Sequence, residues 1–513
     1  MAADKGSTGP LERHELREAA LHGVRWMAIA KVASEVVLLV STVVLARLLS
    51  PAEFGRAAVA MIAGAFALAI TSQSFGAPLV QRKSIEREHV ESAFFMSLAL
   101  GAGLSLVTFA LAPILAGPLF GDATAGLVRL ASPLFFLAGL SVVPYASLQR
   151  ELDFRRLSKI EIASRIAGTA ASVAFAAAGL GAESLVLGAI VAAVVSTAQV
   201  IAAAPLSRPW PHRSAAGEIV SFGLPAALSG LVRQANRNVD YAILGAQLGA
   251  AQVGFYWRAF QFGIEYQTKI SSIMLRVAFP VYSRTKNLED MRLLRSRIVR
   301  VHATLLFPLL ALLIAGAPVL LPWMLGERWT PAVEPTQILA LAGMTAVIMT
   351  GLGPLVLALG KPRLLLQWNV ISLVPYAIMI LLTAPHGITA VCWGVVAVRT
   401  AMVFATHAFL FKPLAGIPVR ALWHDAAPAA VSSAALLIVA WPLAHWLAGA
   451  GLPPLLLLPT IGAAGLAAYL LVLHTLFQAA WADVTLLVSR VLRRRRAKAG
   501  AVSNLADSAA GAG

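Results

Sequence analysis

By composition and pattern the chain is an all-α polytopic membrane protein of about 14 transmembrane helices. The expected plan is two six-helix lobes related by a parallel internal repeat, plus two C-terminal helices. Three features lead there. First, of 513 residues 59% are hydrophobic and only 13% are charged, against roughly 25% charged in an ordinary soluble domain. That is too little polar surface to cover a water-soluble body of this size, and too apolar for a disordered chain. Second, the apolar residues fall in long runs, each near the ~20 residues a helix needs to cross hydrocarbon. Third, the basic residues outside those runs alternate sharply in number from one loop to the next.

The runs lie near residues 24–45, 57–80, 93–117, 125–148, 160–180 and 185–204, then 219–244, 253–280, 298–325, 335–359, 364–383 and 388–411, and finally 426–447 and 453–477. None alternates apolar with polar residues as a barrel strand does, so helices are the only reading. The seventh and eighth runs are the least apolar. The first run has full membrane length and follows a polar segment of mixed charge, so it reads as a retained anchor and not as a cleavable signal peptide.

With the N-terminus on the cytoplasmic side, the inside loops and both terminal segments carry 29 Lys and Arg. The outside loops carry 4: Arg47, Arg56, Arg129 and Arg328. This is the asymmetry of the positive-inside rule, and a miscounted run would scramble it. Both termini are therefore expected in the cytoplasm of a multi-pass inner-membrane protein. The net charge of +17 would point to nucleic acid in a soluble protein; here most of it sets orientation, and no nucleic-acid partner is expected. Arg493–Arg496 follows a segment with apolar residues at helical spacing. It reads as an interfacial helix with a basic anchor on anionic membrane lipids.

The internal repeat is local but well placed. Leu45–Gly55 reads LARLLSPAEFG and Leu244–Gly254 reads LGAQLGAAQVG, 199 positions apart. Each joins an odd run to an even one at the outer face. Six runs separate the copies, so both halves insert in the same sense, as in a parallel repeat about the membrane normal. The expected organisation is a cytoplasmic segment 1–23, an N-lobe 24–204, a linker 205–218, a C-lobe 219–411, two further spans in 412–477 and a basic amphipathic tail 478–513. Two facing bundles leave a cleft in which a cargo can bind.

Apart from Arg25, Arg129 and Arg300 near run starts, which are counted with the adjoining loops, eight basic residues fall inside runs: Lys31, Arg165, Arg233, Arg237, Arg258, Lys269, Arg276 and Arg399. In the eighth run Arg258, Gln261, Glu265, Lys269, Ser272 and Arg276 recur at intervals of three and four, which keeps them on one helix face. In the seventh, Arg233, Asn236, Arg237 and Asp240 do the same. A charge at the bilayer centre costs at least ~2.5–3.5 kcal/mol, so neither stripe faces lipid. Internal pairing, Arg237 with Asp240 and Glu265 with Lys269, is one reading; a charged cavity wall is the other. These two runs hold five basic residues against two acidic ones, so pairing leaves positive charge for an anionic ligand. Arg suits phosphate through bidentate, charge-assisted hydrogen bonds.

Lys31 and Glu35, one turn apart, form either a local pair or part of the cleft. Arg165 is expected to pair with Glu161. Arg399 has no acidic neighbour at helical spacing and is expected to line the cavity. The substrate-binding candidates are thus Arg233, Asn236, Arg237, Arg258, Gln261, Lys269, Arg276, Lys31 and Arg399, and the ion-coupling candidates are Glu35, Asp240 and Glu265. Cys392, the single cysteine, reads as a packing residue. The sequence lacks a phosphate loop of the Gly-x-x-x-x-Gly-Lys-Ser/Thr type, a His-Glu-x-x-His and a Gly-x-Ser-x-Gly. The outer loops are short. No catalytic residue, metal or cofactor is expected.

Several stretches resemble a known family. VVLARLLSPAEFG, GAPLVQRKSIEREHVESAFF and SFGLPAALSGLVRQANRNVDYAILG followed by VGFYWRAFQFG are similar to polysaccharide-transporter flippases of the Wzx type. FPVYSR, LGERWTPAVEPTQILALAGM and LALGKPRLLLQ continue the likeness, which covers about residues 20–410. The superfamily also holds lipid II flippases and multidrug exporters. The resemblance implies V-shaped lobes and alternating access. It implies movement of an undecaprenyl-pyrophosphate-linked oligosaccharide, the repeat unit of a surface polysaccharide, across a bacterial cytoplasmic membrane. Membrane lipids and the polymerase and glycosyltransferases of the same pathway are the implied partners. The family has no fixed catalytic motif, so only a general role in substrate contact carries over, to Arg233, Arg237, Arg258 and Lys269. Two alternatives remain: a drug/cation antiporter of the same superfamily, which the positive excess disfavours, and a membrane-embedded polymerase or ligase, which the short outer loops disfavour.

Overall fold

A computed structural model describes residues 33–82, 84–204, 206–272, 282, 285, 287–483, 485, 486 and 489. Lys31, Arg276, the start of the first run, the end of the eighth and the basic cluster Arg493–Arg496 lie outside these described residues. The described residues are overwhelmingly helical and include no strand. In chain order the helices are α1 (33–48), α2 (Pro51–Gln81), α3 (Arg87–Phe120), α4 (Asp122–Arg150), α5 (Phe154–Ala177), α6 (Glu183–Ala203) and α7 (Arg213–Leu248). They continue as α8 (250–272), α9 (Leu288–Leu325), α10 (Glu327–Ala358), α11 (Pro362–Thr383), α12 (Ile388–Ala415), α13 (Val419–Gly449) and α14 (Pro454–Leu476). Twelve helices among the described residues are long and apolar enough to cross a membrane, α1 and α8 being the two outside that set.

The helices outrun the apolar runs because their ends are polar and capped. α3 has 34 residues and α7 has 36, about 50 Å each against ~30 Å of hydrocarbon. α2 begins at Pro51, six residues before its run, under a capping box. Glu53 N donates to Ser50 Oγ (3.3 Å) and Ser50 N donates to Glu53 Oε2 (2.6 Å). α10 is broken: Val333–Ile348 ends before Gly351, which sits at φ +91°, and Leu352–Ala358 follows. Leu106 and Ile114 of α3 are 70% and 66% exposed, a surface suited to lipid and not to water.

Contacts group the chain into two compact units. The first comprises the described residues up to Trp257 with Met324–Trp329 and Ile380–Pro385. Its helices cross at small residues, as helices in lipid do when packing replaces the hydrophobic effect. Gly168 of α5 and Gly188 of α6 each lie against the other's carbonyl, and Gly139 of α4 against that of Ser97 on α3. Residues Ser72–Gly76 of α2 form a π turn, and Gly223 of α7 sits on the Ser74 carbonyl inside it.

The two repeat copies meet within this unit, and reciprocally. A Cβ on Gly55 would lie 1.7 Å from the Ala250 carbonyl oxygen, and one on Gly254 would lie 1.9 Å from that of Pro51. Both glycines of the repeat are thus required by one close crossing. Trp329, fully buried, closes the cluster: its Nε1 donates to the Ala46 carbonyl (2.9 Å) and its ring meets Phe54 edge-on at 5.3 Å.

The second unit comprises Arg258–Trp323, Thr330–Met379 and the described residues from His386 onward. Arg295 of α9, 1% exposed, donates from Nη1 to Asp425 Oδ2 of α13 (2.9 Å) and stacks on the Phe411 ring at 4.5 Å. Tyr469 of α14 donates to the Thr304 carbonyl of α9 (3.0 Å). The pair α13 and α14 is thereby pinned to α9. Gly343 of α10 lies on the Gly263 carbonyl of α8, inside a second π turn, Gln261–Glu265. Cys392 is fully buried in α12.

Candidate substrate-contact residues

On α7 the predicted stripe is split by burial. Arg233 and Arg237 are exposed, Asn236 is half-buried, and Asp240 is 1% exposed. Asp240 is held by the start of α8: its Oδ2 accepts from Tyr256 Oη (2.9 Å) and its Oδ1 from the Tyr241 amide (2.9 Å). The two tyrosine rings meet edge-on at 5.7 Å. Two neutral donors of the first unit thus bond this carboxylate. Among the described residues Arg237 forms no ion pair with Asp240, which removes that internal-pairing reading.

On α8 the arrangement is reversed. Arg258 is 3% exposed and donates from Nη1 to Gln261 Oε1 (2.6 Å). Gln261, also buried, donates from Nε2 to Tyr266 Oη (3.3 Å). Lys269 Nζ lies over the Tyr266 ring at 5.2 Å, and Ser272 Oγ donates to the Lys269 carbonyl (2.7 Å). Glu265 and Lys269 are half-buried and form no ion pair with each other among the described residues. The π turn beginning at Gln261 is the local cause. One extra residue in the turn rotates the helix below it, so a face that is straight at α-helical spacing becomes two faces. Arg258 and Gln261 fall on the packed one.

The remaining candidates are scattered. Glu35 on α1 is half-buried in the first unit, and Arg399 on α12 is half-buried in the second, its Nε without a hydrogen bond among the described residues. The expected Arg165–Glu161 pair is not formed among the described residues, although one helical turn separates the two. Both line a cavity of about 550 Å³ inside the first unit. Its other walls mix Gly, Ala, Ser and Thr with leucines and Met61. Such residues read in sequence as ordinary membrane packing, which is why the cavity escapes a search for charged stripes.

This arrangement of long helices matches the folds of solved structures. An inward closed structure of the lipid II flippase MurJ superposes with a TM-score of 0.71 at 15% identity, covering 87% of this chain and 97% of that one. An inward-facing multidrug resistance MATE family transporter of the MOP superfamily does so at 0.57, with 14% identity over 73% of this chain and 93% of that one. At these identities the likeness is one of fold. The chain belongs to the family described as "Polysaccharide biosynthesis protein", which matches residues 44–334. The lipopolysaccharide biosynthesis protein WzxC of Escherichia coli (strain K12) is 26% identical over 438 residues, 83% of this chain and 89% of that protein. The teichuronic acid biosynthesis protein TuaB of Bacillus subtilis (strain 168) is 25% identical over 385 residues, 73% and 78%. The succinoglycan biosynthesis transport protein ExoT of Rhizobium meliloti (strain 1021) is 27% identical over 358 residues, 68% and 72%.

Proposed function

We propose that the protein is a flippase that carries a polyprenyl-pyrophosphate-linked oligosaccharide across the bacterial cytoplasmic membrane by alternating access, without covalent chemistry. The family and the named relatives supply the pathway class. The observation that carries the cargo is the exposure of Arg233 and Arg237 on α7 while the nearest carboxylate on that helix, Asp240, is buried on Tyr256. Two guanidinium groups at membrane depth with their local acid withdrawn call for an anion, and a pyrophosphate matches their fork geometry. Lys269 and Arg399, both half-buried, are the further contacts of this reading. Arg258 and Gln261, both buried, are read as structural and not as contacts. The lipid tail stays in the bilayer, and the charge split among the loops supports cytoplasmic termini. A drug/cation antiporter is disfavoured because its cargo would meet exposed arginine.

The test is complementation in a cell whose surface polysaccharide depends on this protein. The double variant Arg233→Ala/Arg237→Ala is expected to reach the membrane at wild-type level and to lower surface polysaccharide at least tenfold. Full restoration by that variant would sink the pyrophosphate reading.

A further inference from the structure

The cavity inside the first unit, at about 550 Å³, is within the size range of small-molecule sites. α5 lines it with Glu161, Ser164, Arg165, Gly168, Thr169 and Ser172. That is one helix face running about 16 Å. Ser41 of α1, Ser141 of α4 and Thr197 of α6 add hydroxyls to the same space. The stripe at its centre, EIASRIAGTAAS, is as regular as those on α7 and α8 but made of small residues.

Three observations define what fits. Glu161 and Arg165 are exposed on this face and form no ion pair with each other among the described residues. The cavity thus offers one strong acceptor and one strong donor with no net charge. Its serines are pre-set as acceptors: Ser41, Ser141 and Ser164 donate to the carbonyls of Leu38 (2.8 Å), Ala138 (3.3 Å) and Glu161 (3.1 Å) on their own helices. Their oxygen lone pairs are left for donors from a ligand. Among the described residues, those lining the cavity include no aromatic ring, a single carboxylate and a single guanidinium. An aromatic cation would lack a stacking wall, a metal ion would lack a carboxylate cluster, and a diphosphate would lack a second cation.

A neutral molecule with hydroxyl groups on one side and an apolar C–H face on the other suits these hydroxyls and the leucines opposite them. We propose that this cavity is a saccharide subsite, in which the hydroxyls of Ser164, Thr169 and Ser172 and the flanking Glu161 and Arg165 bind sugar hydroxyls of the cargo. The proposal rests on the flippase reading only for the source of the sugar. It separates the cargo into two recognitions, pyrophosphate on the exposed arginines of α7 and sugar in this cavity.

The test is calorimetric titration of the full-length protein in detergent with two probes. One is the free oligosaccharide released by mild acid from the lipid-linked pool of the producing strain; the other is inorganic pyrophosphate. The wild type is expected to bind both. Arg165→Gln is expected to weaken the oligosaccharide about tenfold and Thr169→Val, which swaps a hydroxyl for a methyl in a half-buried position, about threefold. Both leave pyrophosphate within twofold, and Arg237→Gln shows the opposite pattern. Monodisperse elution and unchanged helical circular dichroism qualify each variant, and Thr169→Val carries the test if Arg165→Gln misfolds. Unchanged oligosaccharide affinity in the cavity variants, or none in the wild type, overturns the subsite. Binding of oligosaccharide without pyrophosphate sustains the subsite and overturns the basic-face reading instead.

Discussion

α7 and α8 carry polar stripes that look alike as spacings, and the protein treats them in opposite ways. On α7 the acid is buried on a tyrosine and the arginines are exposed; on α8 the arginine is buried on a glutamine. The difference follows from what each buried charge can bond to. A charge removed from water must be hydrogen-bonded or it is expelled. Tyr256 supplies a donor where Asp240 lies, and Gln261, one helical turn along α8, supplies an amide oxygen where Arg258 lies. A charged residue in a membrane helix is therefore a candidate for cargo only after its local partners have been counted. By that standard Arg233 and Arg237 are the candidates for the proposed cargo contact, and buried Arg258 is a candidate for a structural role.

The largest expected effect follows from Arg258. Arg258→Ala strips a 3%-exposed side chain from a packed site and leaves the Gln261 oxygen without that donor. The expected loss is about 3 kcal/mol of stability, read as a clear drop in the thermal unfolding midpoint in detergent and in folded yield. The comparison breaks if Arg258→Ala is as stable as the wild type and fails only in export, because Arg258 would then belong with the α7 arginines.

Tyr256→Phe is expected to be milder. It removes one hydroxyl and leaves Asp240 Oδ2 without the 2.9 Å donor, a cost of about 2 kcal/mol. It also sharpens the contrast, because Asp240 freed from Tyr256 is one turn from Arg237. If the carboxylate swings to Arg237, export falls with the stability. Double-variant cycles of Tyr256→Phe with Arg237→Gln would show that coupling as non-additive losses of export.

The helices themselves were legible from the sequence, because apolar runs of membrane length admit few other structures. The repeat was legible too, and the structure adds its reason: Gly55 and Gly254 each sit under the other copy's backbone. At position 50 and its counterpart 249 the copies diverge, Ser50 capping α2 while Gly249 turns at φ +82°. What escaped was whatever depends on partners distant in sequence or on a shift of helical register. Arg295 and Asp425 are 130 residues apart, and no spacing rule joins them. The π turns at Ser72 and Gln261 have no composition of their own, so the α8 stripe read as one face. The α5 cavity escaped for a third reason: serine and glycine serve helix packing and ligand binding equally well, and only the fold reveals the volume between them.

The smallest structural effect and the finest test of the α7 face is Arg237→Lys. Arg237 is exposed and makes no ion pair with Asp240, so stability is expected to stay within about 0.5 kcal/mol of the wild type. Charge is conserved, but a planar five-donor fork becomes a point charge. If the site works by net charge alone, export by Arg237→Lys equals the wild type. If it works by bidentate grip on a pyrophosphate, Lys recovers part of the function, several-fold below Arg and several-fold above Gln. The second ordering is the expected one, measured as surface polysaccharide at matched protein levels. Equal export by Arg, Lys and Gln would remove Arg237 from the cargo path and leave the exposed α7 face without a function.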